Sequence, residues 1–171
     1  MNTVSRKVIG ITAAALLAAA ALPATAHAAT RRSQTNQATA APQSWGPFYS
    51  PSARRARAAG MVTATGEDHE VIPSAARLTV SGTVADLTRS LSTCGWAVFG
   101  IATVTPDGNN VTWQRHHVRT CTYRIPRRFS FSYHRVFKVE MKVCAEGPGP
   151  EPSIQCTAGN PAWTNIYVSP N

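Results

Sequence analysis

The chain has 171 residues, with 17 Lys and Arg against 8 Asp and Glu, a formal net charge of +9 and four cysteines. This length suits a single domain behind any processed leader, and the cation surplus favours contact with anionic surfaces such as nucleic acid, acidic polysaccharide or membrane. No Gly-x-Ser-x-Gly elbow, His-Glu-x-x-His helix or phosphate-cradling glycine loop occurs, so the common signatures of hydrolases and nucleotide-binding enzymes are excluded.

The first stretch, "MNTVSRKVIGITAAALLAAAALPATAHAAT", has a basic start at Arg6 and Lys7. An apolar run from Val8 to Leu22 and small residues ahead of Ala28 follow. It reads as a secretory signal peptide over 1–28, and its apolar run is short of the roughly 20 residues a membrane span needs. No second run follows and no cysteine lies near the cleavage site, so neither a transmembrane segment nor a lipid anchor is expected. Cleavage lowers the formal charge from +9 to +7. Residues 29–44 are polar and alanine-rich without hydrophobic period, and read as a disordered arm. A single domain is then expected over 45–171.

The domain opens on "WGPFYSP", whose Trp45, Phe48 and Tyr49 suit packing at a domain edge, with a sugar-stacking platform as the alternative. "AAGMVTATG" is short and β-branched, and Gly66 ends it. "ARLTVSGTVADL" alternates, with Leu78, Val80 and Val84 on one face and Arg77, Thr79 and Thr83 on the other, the period of a half-buried strand. "CGWAVFGIATVT" is apolar on both faces, as a central strand requires. "PDGNN" at 106–110 is turn chemistry, so "WQRHHVRTC" is the return arm of a hairpin. A turn at "IPRR" leads into "RFSFSYHRVFKVEMKVC", one long alternating strand or two with a bend near Arg135. "EGPGPEPS" cannot be regular structure, and "IQC" and "WTNIYV" read as two short final strands. Short strands separated by turns imply an all-β fold, a small antiparallel β-sandwich of about seven strands.

Cys94, Cys121, Cys144 and Cys156 form an even set in an exported chain, which implies two disulfides. The hairpin brings Cys94 and Cys121 together, and the proline-rich loop returns Cys156 to Cys144. Those pairings are expected, each contributing roughly 3 kcal/mol on the chain-entropy model. No Cys-x-x-Cys spacing supports zinc, and no cofactor is implied.

His116 and His117 point to opposite faces of a strand and cannot share one metal ion. His117 shares its face with Arg115 and Arg119, and Arg124, Arg127 and Arg128 crowd the following turn. Arginine forks suit phosphates and carboxylates, so these six residues form a candidate anion-binding stripe whose partner is an anionic polymer or cell-surface component. The competing interpretation is a solvated sheet face whose charges discourage edge pairing. Trp113 and Cys121 are expected to anchor the two ends of the stretch, by ring burial and by the disulfide. A small basic nucleic-acid hydrolase built on Glu140, His117 and an arginine is a further alternative, although nothing in the sequence brings those groups together. No catalytic residue is assigned and a non-enzymatic secreted binding module is expected.

The signal peptide, the "WGPFYSP" entry, the cysteines at the hairpin ends and "FSFSY…VEMKVC" together resemble small uncharacterised secreted β-sandwich proteins of actinobacteria. That resemblance covers roughly Trp45 to Val168 and implies export and an immunoglobulin-like sandwich, without an activity. The secreted subtilisin-inhibitor family is similar in size, compartment and cysteine count. Its cysteine-flanked reactive loop is matched only poorly here, by "EGPGPEPSIQC", which leaves an extracellular protease inhibitor as an alternative function.

Overall fold

The computed structural model describes residues 39–51, 53–158 and 162–170. The expected signal peptide (1–28) and the arm up to residue 38 lie outside the described residues. The chain is all-β, with β1 (Gln43–Tyr49), β2 (Ala56–Glu67), β3 (Ala75–Asp86), β4 (Cys94–Val104), β5 (Val111–Thr120), β6 (Arg127–Glu146), a one-turn helix α1 (Ile154–Ala158) and β7 (Thr164–Val168). Backbone pairing begins ahead of Trp45, inside the stretch expected to be a disordered arm. Thr39 bridges Thr65, and the Ala40 N–H donates to the Ala64 carbonyl at 2.9 Å.

All seven strands belong to one antiparallel sheet, in the order β1-β2-β3-β6-β4-β5, with β7 added to β6. Two separate sheets were expected from the alternation, but the hydrogen bonding is continuous through β6. This strand has 20 residues. Its first half pairs with β3 and its second half with β4 and β7. Arg135 lies between the halves in the left-handed region, at φ 55°, which a non-glycine residue adopts only where the surroundings impose it. The strand turns there, and the two parts of the sheet face each other across one core. Phe99 of β4 meets Trp45 of β1 at 6.0 Å between ring centroids and Phe131 of β6 at 5.1 Å.

β4 is buried along all of its residues, as its two apolar faces required. Its inner face supplies Ala97, Phe99 and Ile101 to the core, beside Leu78, Val80 and Val84 of β3 and Val139, Met141 and Val143 of β6. Complete burial of a side chain such as Phe99 contributes on the order of 1.5–3 kcal/mol. Trp45 is also buried, its indole stacked on Phe48 and Phe129. The aromatic entry therefore packs the core edge, and the sugar-stacking alternative for Trp45 is ruled out by that burial.

The "PDGNN" turn closes the β4–β5 hairpin. The Thr105 N–H donates to the Asn110 carbonyl at 2.9 Å, and Gly108 takes φ 77°, a conformation that favours glycine. Both disulfides form as expected, Cys94–Cys121 and Cys144–Cys156, and they mark an oxidising compartment. Among the described residues no helix is long and apolar enough to cross a membrane. The segment "IQC" is a further correction at the level of elements: it is helical, not a strand. The Cys156 N–H donates to Ser153 Oγ at 3.3 Å and the Thr157 N–H to the Ser153 carbonyl at 3.0 Å. This is the geometry of a serine N-cap. Glu146 receives both the N–H and the hydroxyl of Ser153, which fixes the cap against the end of β6.

Candidate functional site

The antiparallel register places side chains of β5, β4 and β6 in rows on the face turned away from the core. One row is Trp113–Ala102–Lys138 and the next is Arg115–Gly100–Glu140. Then follow His117–Val98–Lys142 and Arg119–Trp96–Cys144. Directly paired residues share a face, so Arg115, His117 and Arg119 are on one side, as the alternation of "WQRHHVRTC" required. His116 is on the other side, its ring 3.9 Å from that of Phe131. Burial holds its pKa below the usual histidine value, and the neighbouring His117 charge lowers it further.

The six cationic residues expected to form a stripe are not equivalent. Arg115 is exposed. His117 is half-buried, with its ring tilted 5.6 Å from that of Trp96. Arg119 lies 5.3 Å over the Trp96 ring, and its Nη1 donates to the carbonyls of Pro148 and Gly149. That guanidinium straps the proline-rich loop to the sheet. Arg127 donates from Nη1 to the Arg119 carbonyl at 2.9 Å. Arg124 sits over Tyr123 at 5.2 Å, and Arg89 over the same ring at 5.5 Å. Arg128 pairs with Thr83 of β3, in the other part of the sheet. The structure thus brings together Arg115, His117 and Arg119, places Arg127 at the end of that group, and leaves Arg124 and Arg128 elsewhere.

Other residues complete this face. Lys138 forms an ion pair with Glu140 at 3.1 Å and lies 5.8 Å over the Trp113 ring. Lys142 is buried beside Trp163, with its Nζ 4.9 Å from the ring centroid. Burial pushes the Lys142 ammonium below the usual lysine value; Glu140 opposes that shift and Arg115 adds to it. Trp113 does not anchor the strand by ring burial, contrary to expectation, for it is 55% exposed. Its row neighbours are Ala102, which is small, and Lys138, which covers only part of the indole.

Between Trp113 and Trp163 lies a groove of about 360 Å³, also lined by Arg115 and Glu140 and floored by Gly100. A Cβ at position 100 would stand 3.2 Å from Glu140 Cγ and 3.4 Å from Trp113 Cζ3, so glycine keeps that floor low. The Cys144–Cys156 bridge secures α1, whose Thr157 forms part of the wall. The face also carries Glu140, His117 and Arg115 in adjacent rows, a grouping that the sequence alone did not place. Glu140 and Lys138 were legible as polar positions of an alternating strand, but nothing in the sequence put Trp163 near them.

Among the described residues no three His, Cys, Asp or Glu side chains gather as a metal site would require. No family model, no curated protein and no solved structure matches the chain.

Proposed function

We propose that the chain is a secreted, non-enzymatic module that binds an anionic polymer or an anionic cell-surface component through the outer face of β5, β4 and β6. The observation that carries this reading is the register, which sets Arg115, His117 and Arg119 of β5 on the same face as Lys138 and Lys142 of β6, with β4 between them. Facing these cations is Glu140, already paired with Lys138. The rows therefore sum to a positive face, and the exposed Arg115 is its most accessible donor. The two disulfides and the leader-like first residues support export.

The inhibitor alternative is weakened by the proline-rich loop. A loop that lies in a protease must offer its backbone to the enzyme, whereas here the carbonyls of Gly147, Pro148 and Gly149 are taken by Trp96 Nε1 and Arg119. The hydrolase alternative gains from the shared face of Glu140, His117 and Arg115, and incubation of the purified protein with RNA tests it directly. RNA left intact leaves the binding reading in place, and cleavage abolished by Glu140→Gln would replace it.

Affinity for heparin or nucleic acid should fall steeply with salt, because each phosphate or sulfate that is neutralised releases counterions. Arg115→Ala should flatten the logarithmic salt slope by about one unit. A slope unchanged in that variant, measured by titration at several salt concentrations, would reduce the cationic face to a solvated surface.

A further inference from the structure

We infer that the groove between Trp113 and Trp163 is a stacking site for a base of single-stranded nucleic acid, which names the polymer class for the face proposed above and rests on that proposal. The first observation is Trp113 itself. An indole more than half exposed on an edge strand is costly to leave in water, and its exposed ring borders a groove rather than a flat surface. The second is the chemistry of the floor. Arg115 offers donors only, and Glu140, held by Lys138, offers acceptors only. Base edges carry both kinds of group: the amino group of cytosine, for example, donates to a carboxylate, while ring nitrogens and carbonyls accept from arginine.

The third observation decides between a nucleic acid and an acidic polysaccharide. In a polysaccharide built of uronates or sulfated sugars, the charge is on the ring that would stack. Such a ring in the groove would bring its anion down onto Glu140. In a nucleic acid the stacking ring is uncharged and the phosphate is a sugar away. The base can meet Glu140 while the phosphates stay at the rim beside Arg115 and Lys138. A proline-rich peptide, the other usual guest of tryptophan-lined grooves, has no side-chain groups to use the donors of Arg115 and the remaining acceptors of Glu140. Aromatic platforms set among cations are the general means of holding single strands without strict sequence preference.

The experiment compares short oligo(dC) with heparin, an anionic polymer that has no bases, on the full exported chain. Oligo(dC) should quench tryptophan fluorescence. Trp113→Ala should weaken its binding about tenfold without altering the salt slope, and Trp113→Phe should recover most of that loss. Heparin binding should be the same in Trp113→Ala and the wild-type protein. Undiminished oligo(dC) affinity in Trp113→Ala overturns the stacking site, and an equal loss for heparin makes the groove a sugar platform instead. In either case a salt-dependent attachment of heparin that Arg115→Ala weakens would leave the cationic face intact. Failure of both polymers to bind would remove that face as well.

Discussion

Adjacent side chains on β5 have opposite duties. His116 turns inward against Phe131, Phe99 and Tyr133, with the His117 charge beside it on the strand. Its folded-state pKa is depressed, so the unfolded chain takes up a proton first as the pH falls below about 6.5. Stability is therefore full above that pH and declines through the window down to the folded value, where the protonation penalty is complete. His116→Gln should flatten the fall of the melting temperature across that window, and a profile identical to wild type would show that the inward ring is not its source. Arg119 illustrates what the sequence conceals at this scale. It alternates in phase with Arg115 and looks equally available, but its acceptors are 29 and 30 residues further along the chain. No local pattern reveals that the guanidinium is already engaged. Trp113 presents the reverse case: alternation gave its face, while the side of β5 that meets the core was decided by the distant β6.

Among elements, β2 and β3 owe their fit under β1 to two small residues that face each other. Gly60 and Gly82 are cross-strand partners, and the Trp45 indole lies over both. A Cβ on Gly60 would come within 2.0 Å of the Ser81 carbonyl oxygen and 2.6 Å of Trp45 Cζ2. Gly60→Ala should therefore destabilise the protein by roughly 1–3 kcal/mol or more, read as a lower urea midpoint; an unchanged midpoint would mean the sheet has slack there. Element types were legible wherever one local rule was decisive. β4 announced itself by apolar residues on both faces, the "PDGNN" hairpin by turn chemistry, and β3 by clean alternation. α1 escaped because "IQC" is too short for a helical period, and its cap depends on Ser153 being held by Glu146 from the end of β6. Apolar parity holds from Phe129 through Tyr133 and continues in Phe137, which leaves one long strand or two with a bend near Arg135 as equal readings. That this strand would serve both parts of the sheet was not visible, since pairing partners so far apart leave no trace in a local window.

For the molecule as a whole, the two disulfides close chain separations of 27 and 12 residues. The entropy model then assigns about 3.5 kcal/mol to Cys94–Cys121 and about 3 kcal/mol to Cys144–Cys156. Paired Cys→Ser variants should accordingly rank in that order in denaturant, and a reversed order would show that anchoring α1 matters more than closing the longer loop. The place of β6 in the sheet also dictates the order in which the protein can be completed. A chain made from its N-terminus produces β1 to β3 as a meander and β4 with β5 as a hairpin, each able to pair locally. Neither piece can complete the shared core until residues 127–146 have emerged, because β6 is the strand hydrogen-bonded to both β3 and β4. Until then Phe99, Val80 and Leu78 lack the β6 side chains that cover them, and the nascent protein is two sticky fragments awaiting a common spine. A stop codon anywhere before that strand would yield an aggregating product rather than a smaller folded one.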